Sequence, residues 1–449
     1  MTPEPKSSVD FEDTEKEMIF ETTGWEKTTI QELVNREIIQ KPMDGNHGGD
    51  HPTKEDYADE GIPFIMAKNI KDGKIDRSEC KRLPKDFADN LRKGFAKEGD
   101  VLLSHKGTVG RTAIVEQTQD DYIMLSPQTT YYRVVDYEKL NNYYLKYYFD
   151  SYVFQETLKN WAGGGSTRPY LGITDQRNLP VVVPPRDVQD KIVAYLKPID
   201  QKIRVNNHIS ETLDEMAQAL FKSLFTDFDS HNAGLEYDSY FETKIPADWD
   251  KKSLQDIAEF LNGKAWQKFE SQSKQNDLPV IKIKELRNGV SEDSDLVLKS
   301  DCPEKYILED GQVIFSWSAS LVLDIWTGGP AFLNQHLFKV SSEEYPRWFY
   351  YQWINYHIQR FRSIAEAKKT TMGHIKRSDL KEARVLVPPE DELKHISGKF
   401  EPVFRIMVEK RIENRRLEEL RDTLLPKLMS GEIRVDNIRL DDLEVSSEV

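Results

Sequence analysis

Val181-Val182-Val183-Pro184-Pro185 returns 204 positions later as Val385-Leu386-Val387-Pro388-Pro389. Three upstream stretches also recur. Gly24-Trp25-Glu26-Lys27 matches Asp248-Trp249-Asp250-Lys251 at an offset of 224, and Ile62-Pro63-Phe64-Ile65 matches Leu278-Pro279-Val280-Ile281 at an offset of 216. Glu98-Gly99-Asp100-Val101 matches Asp310-Gly311-Gln312-Val313 at an offset of 212. The shrinking offset indicates loops of different length, and the constant offset of 204 that follows indicates a rigid element. A period near 200 is too long for a solenoid, so we predict a duplicated pair of domains.

The rigid element that follows each repeat is predicted to be one long helix. Apolar residues recur there at alternating spacings of four and three, which is the seam of a coiled coil. The seam residues are Ile192, Leu196, Ile199, Ile203, Leu213, Leu220 and Leu224 in the first copy, and Ile396, Phe400, Val403, Met407, Leu417, Leu424 and Leu428 in the second. A prediction of about 39 residues for each helix corresponds to roughly 58 Å.

Both seams are polar in the middle, at Asn206 and Ser210 and again at Lys410 and Asn414. Polar seam residues fix register and orientation, so the matching interruption predicts that the two helices pair with each other. The alternative is that each helix packs on its own globular domain. Pro198 and Pro402 predict a break or kink near each helix start.

The globular parts mix alternating apolar runs with short aromatic helical stretches, a pattern typical of the α+β class. We therefore predict two globular α+β domains joined by two long helices that form an antiparallel coiled coil, with pseudo-two-fold duplication. The predicted boundaries are 1–23 for an acidic disordered tail, 24–183 for the first globular domain, 184–226 for the first long helix, 227–243 for a linker, 244–387 for the second globular domain, 388–430 for the second long helix and 431–449 for an acidic tail.

The net charge of −15 is unusual for a protein that contacts phosphate. Residues 1–23 carry seven acidic and two basic side chains, and residues 432–449 carry six and two, so the tails hold −9 of the −15. The body between them is close enough to neutral for local basic patches, so charge alone neither supports nor excludes binding to nucleic acid.

Cys80 and Cys302 lie far apart and lack the spacing of a metal site or redox pair, which favours a reducing compartment. The sequence has no signal-peptide pattern and no run of eighteen apolar residues, so a cytoplasmic protein is expected.

The sequence lacks the motifs of several enzyme classes, including the P-loop and the Asn-Pro-Pro-aromatic motif of amino-methyltransferases. Gly163-Gly164-Gly165 is interpreted as a flexible loop rather than a phosphate site. Glu366 and Lys368 have a nuclease-like spacing without a matching upstream Asp. His47 and His51 lie in a glycine-containing loop with no evident third ligand, so no metal site is predicted. We predict that the chain has no catalytic residues.

Four stretches resemble a known family: 99–115, Ser316-Trp317-Ser318-Ala319-Ser320 with Phe332-Leu333-Asn334-Gln335-His336, the helix end 213–225, and 424–433. Together, and in duplicated order, they resemble the specificity subunit (HsdS) of type I restriction–modification enzymes over about residues 24–435. The first copy has Gly107-Thr108-Val109-Gly110-Arg111 where the second has Ser-Ala-Ser-Leu-Val, so we expect the two halves to recognise different bases.

The resemblance implies two target recognition domains, each reading one half of a split site in double-stranded DNA, with the coiled coil as a spacer. It also implies that two methyltransferase (modification) subunits dock on the coil and its flanks, that restriction and motor subunits join them, and that no membrane is involved. No cofactor is expected in this chain, whereas S-adenosylmethionine and ATP with Mg²⁺ are expected on the partner subunits.

Polar, basic or aromatic residues in predicted loops are the candidate DNA contacts. Arginine and lysine suit guanine or phosphate, and asparagine and glutamine suit adenine. In the first domain they are His47, Lys68, Ser104, His105, Lys106, Thr108, Arg111 and Arg168; in the second they are Lys264, Trp266, Lys284, Trp317, Ser318, Asn334, Gln335, Lys368 and Lys369. The alternative for each lysine is a solvated surface charge. For Asn334 and Gln335 it is backbone capping, and for Trp266 and Trp317 it is a core position.

Three other functions remain open at the level of sequence. The first is a coiled-coil scaffold without a role in DNA binding, and the second is a nuclease that uses Glu366 and Lys368. The third is the same DNA reader in a modification-only defence system.

Overall fold

The computed structural model describes residues 24–117, 120–163, 169–229, 231, 234–266, 277–291, 293–299, 303–318, 321–367 and 374–435. The chain divides into two compact units, Met1–Asp200 with Glu419–Val449, and Gln201–Glu418. Each unit combines one globular repeat with a segment of both long helices. Arg168, Lys368 and Lys369 lie outside the described residues.

The first repeat and the helix after it contain the following elements. The strands are β1 (Glu26–Thr29), β2 (Met43–Asp44), β3 (Ile62–Ile65), β4 (Ile70–Lys71), β5 (Lys74–Ile75), β6 (Lys81–Leu83), β7 (Phe95–Ala96), β8 (Val101–Ser104), β9 (Thr112–Ile114), β10 (Ile123–Leu125), β11 (Thr129–Tyr132) and β12 (Pro180–Val183). The helices are α1 (Ile30–Asn35), α2 (Lys85–Asp89), α3 (Asn142–Asp150), α4 (Tyr152–Trp161), α5 (Ile173–Arg177) and the long α6 (Arg186–Phe225).

The second repeat and its helix follow a similar order, with a hairpin before the strand that is equivalent to β1. The strands are β13 (Leu235–Asp238), β14 (Thr243–Pro246), β15 (Asp250–Ser253), β16 (Glu259–Asn262), β17 (Asp277–Ile281), β18 (Leu296–Leu298), β19 (Ile307–Leu308), β20 (Val313–Ser316), β21 (Leu323–Ile325), β22 (Ala331–Leu333), β23 (Leu337–Ser341) and β24 (Arg384–Val387). The helices are α7 (Leu254–Ile257), α8 (Ile283–Asn288), α9 (Arg347–Ala367), α10 (Arg377–Glu382) and the long α11 (Glu390–Ser430).

Sheet topology confirms the duplication. One four-stranded sheet has the order β6-β3-β10-β7 in the first repeat and β18-β17-β22-β19 in the second, with β3–β10 and β17–β22 parallel. The other has the order β2-β11-β8-β9 and β16-β23-β20-β21. The α+β prediction is therefore confirmed.

In each repeat, the strand at the recurring Trp-containing stretch pairs with the strand at the recurring Val-Pro-Pro stretch. Strand β1 pairs with β12, placing Glu26 opposite Val183, and β15 pairs with β24 in the same register, placing Asp250 opposite Val387. Each pairing joins the beginning of a globular repeat to its end. The long helix therefore starts from a fixed point at the base of its own repeat.

The long helices run antiparallel. In the first unit the start of α6, including Ile192 and Leu196, shares a core with the end of α11, including Leu424 and Leu428. In the second unit Leu224, near the end of α6, shares a core with the start of α11. The seam residues are all buried or half-buried. Seam residues near the start of each helix, such as Leu196 and Phe400, also share a core with the globular repeat that precedes their helix. For these residues, packing on the repeat accompanies packing on the other helix.

The polar part of the seam lies inside the second unit. Asn206 Nδ2 donates to Asn414 Oδ1 at 2.9 Å, and Asn414 Nδ2 donates to Asn207 Oδ1 at 2.7 Å. Lys202 lies 3.3 Å from Glu413. Because these amides, of which Asn206 and Asn414 are buried, bond only in one alignment, they fix the register of the pair. The predicted pairing of the two helices is confirmed.

Neither proline ends its helix, so the predicted break at Pro198 and Pro402 is wrong. A proline inside a helix deprives the carbonyl four residues earlier of its donor. Here those carbonyls belong to Ala194 and Gly398, both at exposed positions where water can replace the donor. The interval predicted as a linker, 227–243, contains β13 and the first residue of its hairpin partner β14.

No helix among the described residues is long and apolar enough to cross a membrane. Within the same ranges no group of three or more His, Cys, Asp or Glu side chains is arranged to hold a metal ion.

Candidate nucleic-acid interface

One edge of the first repeat collects the loops that the sequence singled out. Because β3 and β10 are parallel, the loops that follow them emerge at the same edge, and Ser126 N donates to Ile65 O at 2.9 Å. Gly45 passes directly beneath: a Cβ there would lie 2.0 Å from Leu125 O. Only glycine permits this approach. The edge is therefore a closely packed backbone platform.

The second repeat builds the same platform from different residues. Asn334 N donates to Ile281 O at 3.2 Å, and a Cβ on Gly263 would lie 2.1 Å from Asn334 O. Corresponding residues of the two platforms follow corresponding strands. Lys68 and Lys284 therefore occupy equivalent positions, each exposed and three residues after its strand. The equivalence supports comparing the two edges residue by residue.

The loop between β8 and β9 adds two positively charged side chains, Lys106 and Arg111, to the first edge. Ser104 Oγ accepts from Arg111 N at 2.9 Å, which closes the loop, just as Ser316 Oγ accepts from Val322 N at 2.7 Å in the second repeat. Lys106, Thr108 and Arg111 are exposed. The Arg111 guanidinium also donates to Ile70 O at 3.1 Å, which directs its side chain along the edge.

His105 lies beneath this loop instead of on its surface. Its side chain is fully buried, and its Nδ1 lies 2.8 Å from Thr130 Oγ1. Burial lowers the pKa of His105 to about 4, so the imidazole is neutral near pH 7. Its backbone also pairs with the strand-like segment at Tyr170, since Leu171 N donates to His105 O. His105 and the buried Ser104 therefore support the loop from within.

His47 belongs to a small charged cluster on the same edge. Its Nε2 lies 2.5 Å from Asp44, whose other oxygen lies 2.5 Å from the Lys93 ammonium. Burial alone would raise the pKa of Asp44, but the bonds from Lys93 and His47 outweigh it and hold that pKa below its usual value. The carboxylate thus orients the Lys93 ammonium and the His47 imidazole. Lys93 was not predicted from the sequence, which places it 49 residues from Asp44.

The second edge contains a pocket of about 320 Å³ lined by Lys282, Ile283, Lys284, Asn334, Gln335 and His336. Three predicted residues, Lys284, Asn334 and Gln335, are thereby brought together. Lys282 lies 2.5 Å from Asp295, whereas Lys284 has no ion-pair partner among the described residues. Lys282 and His336 were missed by the sequence prediction, although both adjoin predicted positions.

Four other predicted residues of the second repeat have structural contacts. Trp266 is buried and donates from Nε1 to Leu333 O at 2.9 Å, and the backbone of Lys264 bridges to Asn334. Trp317 is half-buried and donates from Nε1 to Asn262 Oδ1 at 2.9 Å. Ser318 is buried beside His336. These side chains support the pocket wall. Of the polar residues that line the pocket, Lys284 is exposed, and Lys282, Gln335 and His336 are half-buried.

Comparison with known proteins gives the family. The sequence model described as "Type I restriction modification DNA specificity domain" matches residues 23–215 and 246–420, one match for each repeat. The chain belongs to this family.

Two relatives agree with that membership, and a solved structure shares the fold. The type I restriction enzyme MjaIX specificity subunit of Methanocaldococcus jannaschii is 25% identical over 93% of this chain and 98% of its own length. The HindI specificity subunit of Haemophilus influenzae is 23% identical over 83% of this chain and 94% of its own. The crystal structure of a type I restriction–modification S subunit from M. genitalium shares the fold, with a TM-score of 0.52 at 16% identity over 90% of this chain and 96% of that one.

Proposed function

We propose that this specificity chain reads a split, asymmetric DNA sequence for a type I restriction–modification complex, one half-site with each repeat. The observation that supports this most directly is the duplicated loop edge. The same glycine-backed platform occurs twice, at Gly45 and at Gly263, and carries a cationic loop in one copy and an amide-rich pocket in the other. Base reading requires such side chains on a rigid support.

The long helices are proposed to set the distance between the half-sites. Helix α6 has 40 residues and α11 has 41, and each is therefore about 60 Å long. At 3.4 Å per base pair along a strand, this length limits the separation of the half-site centres to roughly 18 base pairs. Because the Asn206–Asn414 bond fixes the helix register, the spacing should be constant.

The partners follow from the same proposal. Because the architecture is duplicated, we propose that two methyltransferase subunits bind along the helices, and that restriction subunits join them. The reactions, with their S-adenosylmethionine, ATP and Mg²⁺, are proposed to belong to those subunits, and this chain to be non-catalytic. Because its DNA target lies inside the cell, we propose the cytoplasm as its place of action.

The test is the pattern of DNA methylation in cells that carry the partner methyltransferase, with and without this chain. A split motif with methylated adenines that appears only with the chain would support the proposal. An unchanged methylation pattern, despite expression and assembly of the complex, would contradict it and favour a scaffold role. The same motif without restriction of unmodified DNA would identify a modification-only system.

A double variant tests the assignment of one half-site to the first repeat. Lys106→Ala with Arg111→Ala removes two exposed cations from the loop between β8 and β9. We expect the variant to bind DNA more weakly because it loses contacts to only one half of the motif. Gel shifts of the assembled complex on duplexes with either half scrambled measure which half is affected. If the variant and the wild type discriminate equally against scrambling of both halves, the assignment is wrong.

A further inference from the structure

The pocket of the second repeat contains a hydrogen-bond relay that the sequence did not reveal. Gln335 Nε2 lies 3.3 Å from His336 Nε2, and His336 Nδ1 lies 3.1 Å from Ser318 Oγ. An amide nitrogen can only donate, so His336 Nε2 is the acceptor. The imidazole proton then lies on Nδ1 and is donated to Ser318 Oγ. The relay therefore sets both the imidazole tautomer and the amide orientation.

This orientation leaves one edge of the Gln335 amide open. The nitrogen has two hydrogens, of which His336 takes one. We take His336 to accept the hydrogen that points away from Oε1, so that the other hydrogen and Oε1 lie side by side, one donor and one acceptor. Adenine presents the complementary pair in the major groove, N7 as acceptor and N6 as donor, and glutamine binds that pair with two hydrogen bonds.

The backbone beneath the amide is held on both sides. Gln335 O accepts from Trp317 Nε1 at 3.2 Å, and Asn334 Oδ1 accepts from His336 N at 3.2 Å. Asn334 is itself buried. The main chain is therefore fixed, and the contact with His336 holds the Gln335 side chain above it. A recognition group held in this way loses little conformational freedom on binding.

The first repeat lacks these groups at the equivalent positions. Ser126, whose amide bonds to the parallel strand as that of Asn334 does, is followed by Pro127 and Gln128. The positions of Gln335 and His336 are thus occupied by a proline and a glutamine. The relay therefore occurs at the edge of the second repeat and not at the equivalent positions of the first. The two edges thus offer different hydrogen-bonding groups to DNA.

We propose that the pocket of the second repeat reads one adenine of the second half-site through Gln335, with His336 as the positioning residue that orients its amide. Lys284, exposed on the same wall, contacts a phosphate beside that base. The proposal rests on the proposed function, because it names the base that one repeat of the DNA reader recognises.

The test uses the assembled modification complex and Gln335→Glu. A carboxylate cannot donate to adenine N7 but can accept from cytosine N4. At one position of the second half-site we expect the preference for adenine to fall by roughly 5- to 150-fold, with cytosine gaining. The measurement is the methylation motif in cells, followed by competition among duplexes carrying each base pair at that position. Lys106→Ala with Arg111→Ala identifies the other half-site.

Gln359→Glu is the matched control, since Gln359 is exposed on α9 in the same repeat and does not line the pocket. It should leave the motif unchanged. Should Gln335→Glu prevent assembly, Gln335→Met, of similar size without polar atoms, is expected to lower the adenine preference without creating another. An assembled variant with an unchanged motif overturns the inference, as does a change confined to the first half-site. Absence of any chain-dependent motif with the wild type would instead overturn the proposed function.

Substitutions of His336 separate positioning from general structural support. His336→Ala removes the acceptor, and we expect the same adenine position to relax by roughly 5-fold or more while binding to the rest of the motif is retained. His336→Gln offers an acceptor oxygen near the place of Nε2 and should restore the preference. Uniform weakening at all positions by His336→Ala, without rescue by His336→Gln, would contradict the positioning role.

Discussion

The two repeats contact their long helices through different chemistry at equivalent positions. In the first, Lys146 on α3 lies 2.8 Å from Asp150 and 3.5 Å from Asp200 on α6. Asp200 also accepts from the Tyr147 hydroxyl at 2.7 Å and lies 3.4 Å from Arg421 on α11. Burial alone would lower the pKa of Lys146, but the two carboxylates outweigh it and raise that pKa, so the ammonium remains charged.

The second repeat has Tyr350, Ile354 and Phe404 at the positions 204 residues later, and all three are buried. Next to them Trp348 stacks on Phe400 with ring centroids 4.1 Å apart. An ionic cluster in one repeat is thus replaced by an aromatic cluster in the other. One backbone geometry can be held by either, but ionic contacts depend on the presence of every partner, whereas apolar contacts depend on buried area.

The largest effect is expected from breaking the aromatic cluster. Phe400→Ala removes a fully buried ring from the stack with Trp348 and should lower the free energy of unfolding of the second unit by about 4 kcal/mol. Leu196→Ala, at the equivalent position of the first repeat, should cost about 3 kcal/mol. Urea titration followed by tryptophan fluorescence and hydrogen exchange measures both. Glu401→Ala, exposed on the same helix, is the control and should change stability by less than about 0.5 kcal/mol.

Breaking the ionic cluster should have a somewhat smaller effect. Lys146→Met leaves Asp150 and Asp200 without their shared cation, and we expect a loss of about 3 kcal/mol in the first unit. Converting the cluster to its counterpart, with Lys146→Tyr, Asp150→Ile and Asp200→Phe together, should recover most of that loss, because both carboxylates and the ammonium are removed and Arg421 keeps Asp422 as its partner. Denaturant unfolding of the single and triple variants decides this. Equal stability of Lys146→Met and wild type would show that the ion pairs contribute little.

Acid should affect the two repeats alike, because each buries one neutral histidine. Burial lowers the pKa of His105 and of His357 to about 4, from 6.5 in the unfolded chain. Protonation therefore favours unfolding: the stability is complete above pH 6.5 and decreases as pH falls towards 4, by about 2–3 kcal/mol per histidine. His105→Gln and His357→Gln should each flatten the pH dependence of one unit. A wild-type stability that is constant between pH 6.5 and 4.5 would contradict this.

The smallest effect is expected at a helix position where the two copies differ. Gly398 of α11 corresponds to Ala194 of α6, and a Cβ at position 398 would meet no atom within 4 Å. Gly398→Ala should therefore stabilise the chain by about 0.5–1 kcal/mol, since glycine loses more backbone freedom in a helix. Thermal unfolding measures the gain, with Ala194→Gly as the reciprocal variant, expected to lose a similar amount. A destabilising Gly398→Ala would show that the helix needs glycine before Pro402.

Most of the fold could be predicted from the sequence, because its strongest signals are periodic. The seam from Ile192 to Leu224 recurs at a fixed offset, and a helix buries residues at that spacing whatever surrounds it. The helix break predicted at Pro198 was wrong because the sequence pattern does not reveal the surroundings of the Ala194 carbonyl. That carbonyl loses its helical donor to the proline but lies at an exposed position where water can replace it. Loop chemistry indicated the candidate DNA edge, and the structure places Lys68, Lys106 and Arg111 on it.

The sequence by itself determined that there are two copies, that each ends in a long helix, and that the copies differ at the loops. Only the tertiary structure decided which polar groups reach solvent. His105 and Lys106 are neighbours in the chain, yet one is buried and the other exposed. The clusters around Asp200 and Gln335 join residues from separate elements, such as Lys146 with Asp200 and Ser318 with His336. Periodicity reports local burial, but such contacts depend on strand pairing and helix packing between distant segments, and no local pattern encodes them.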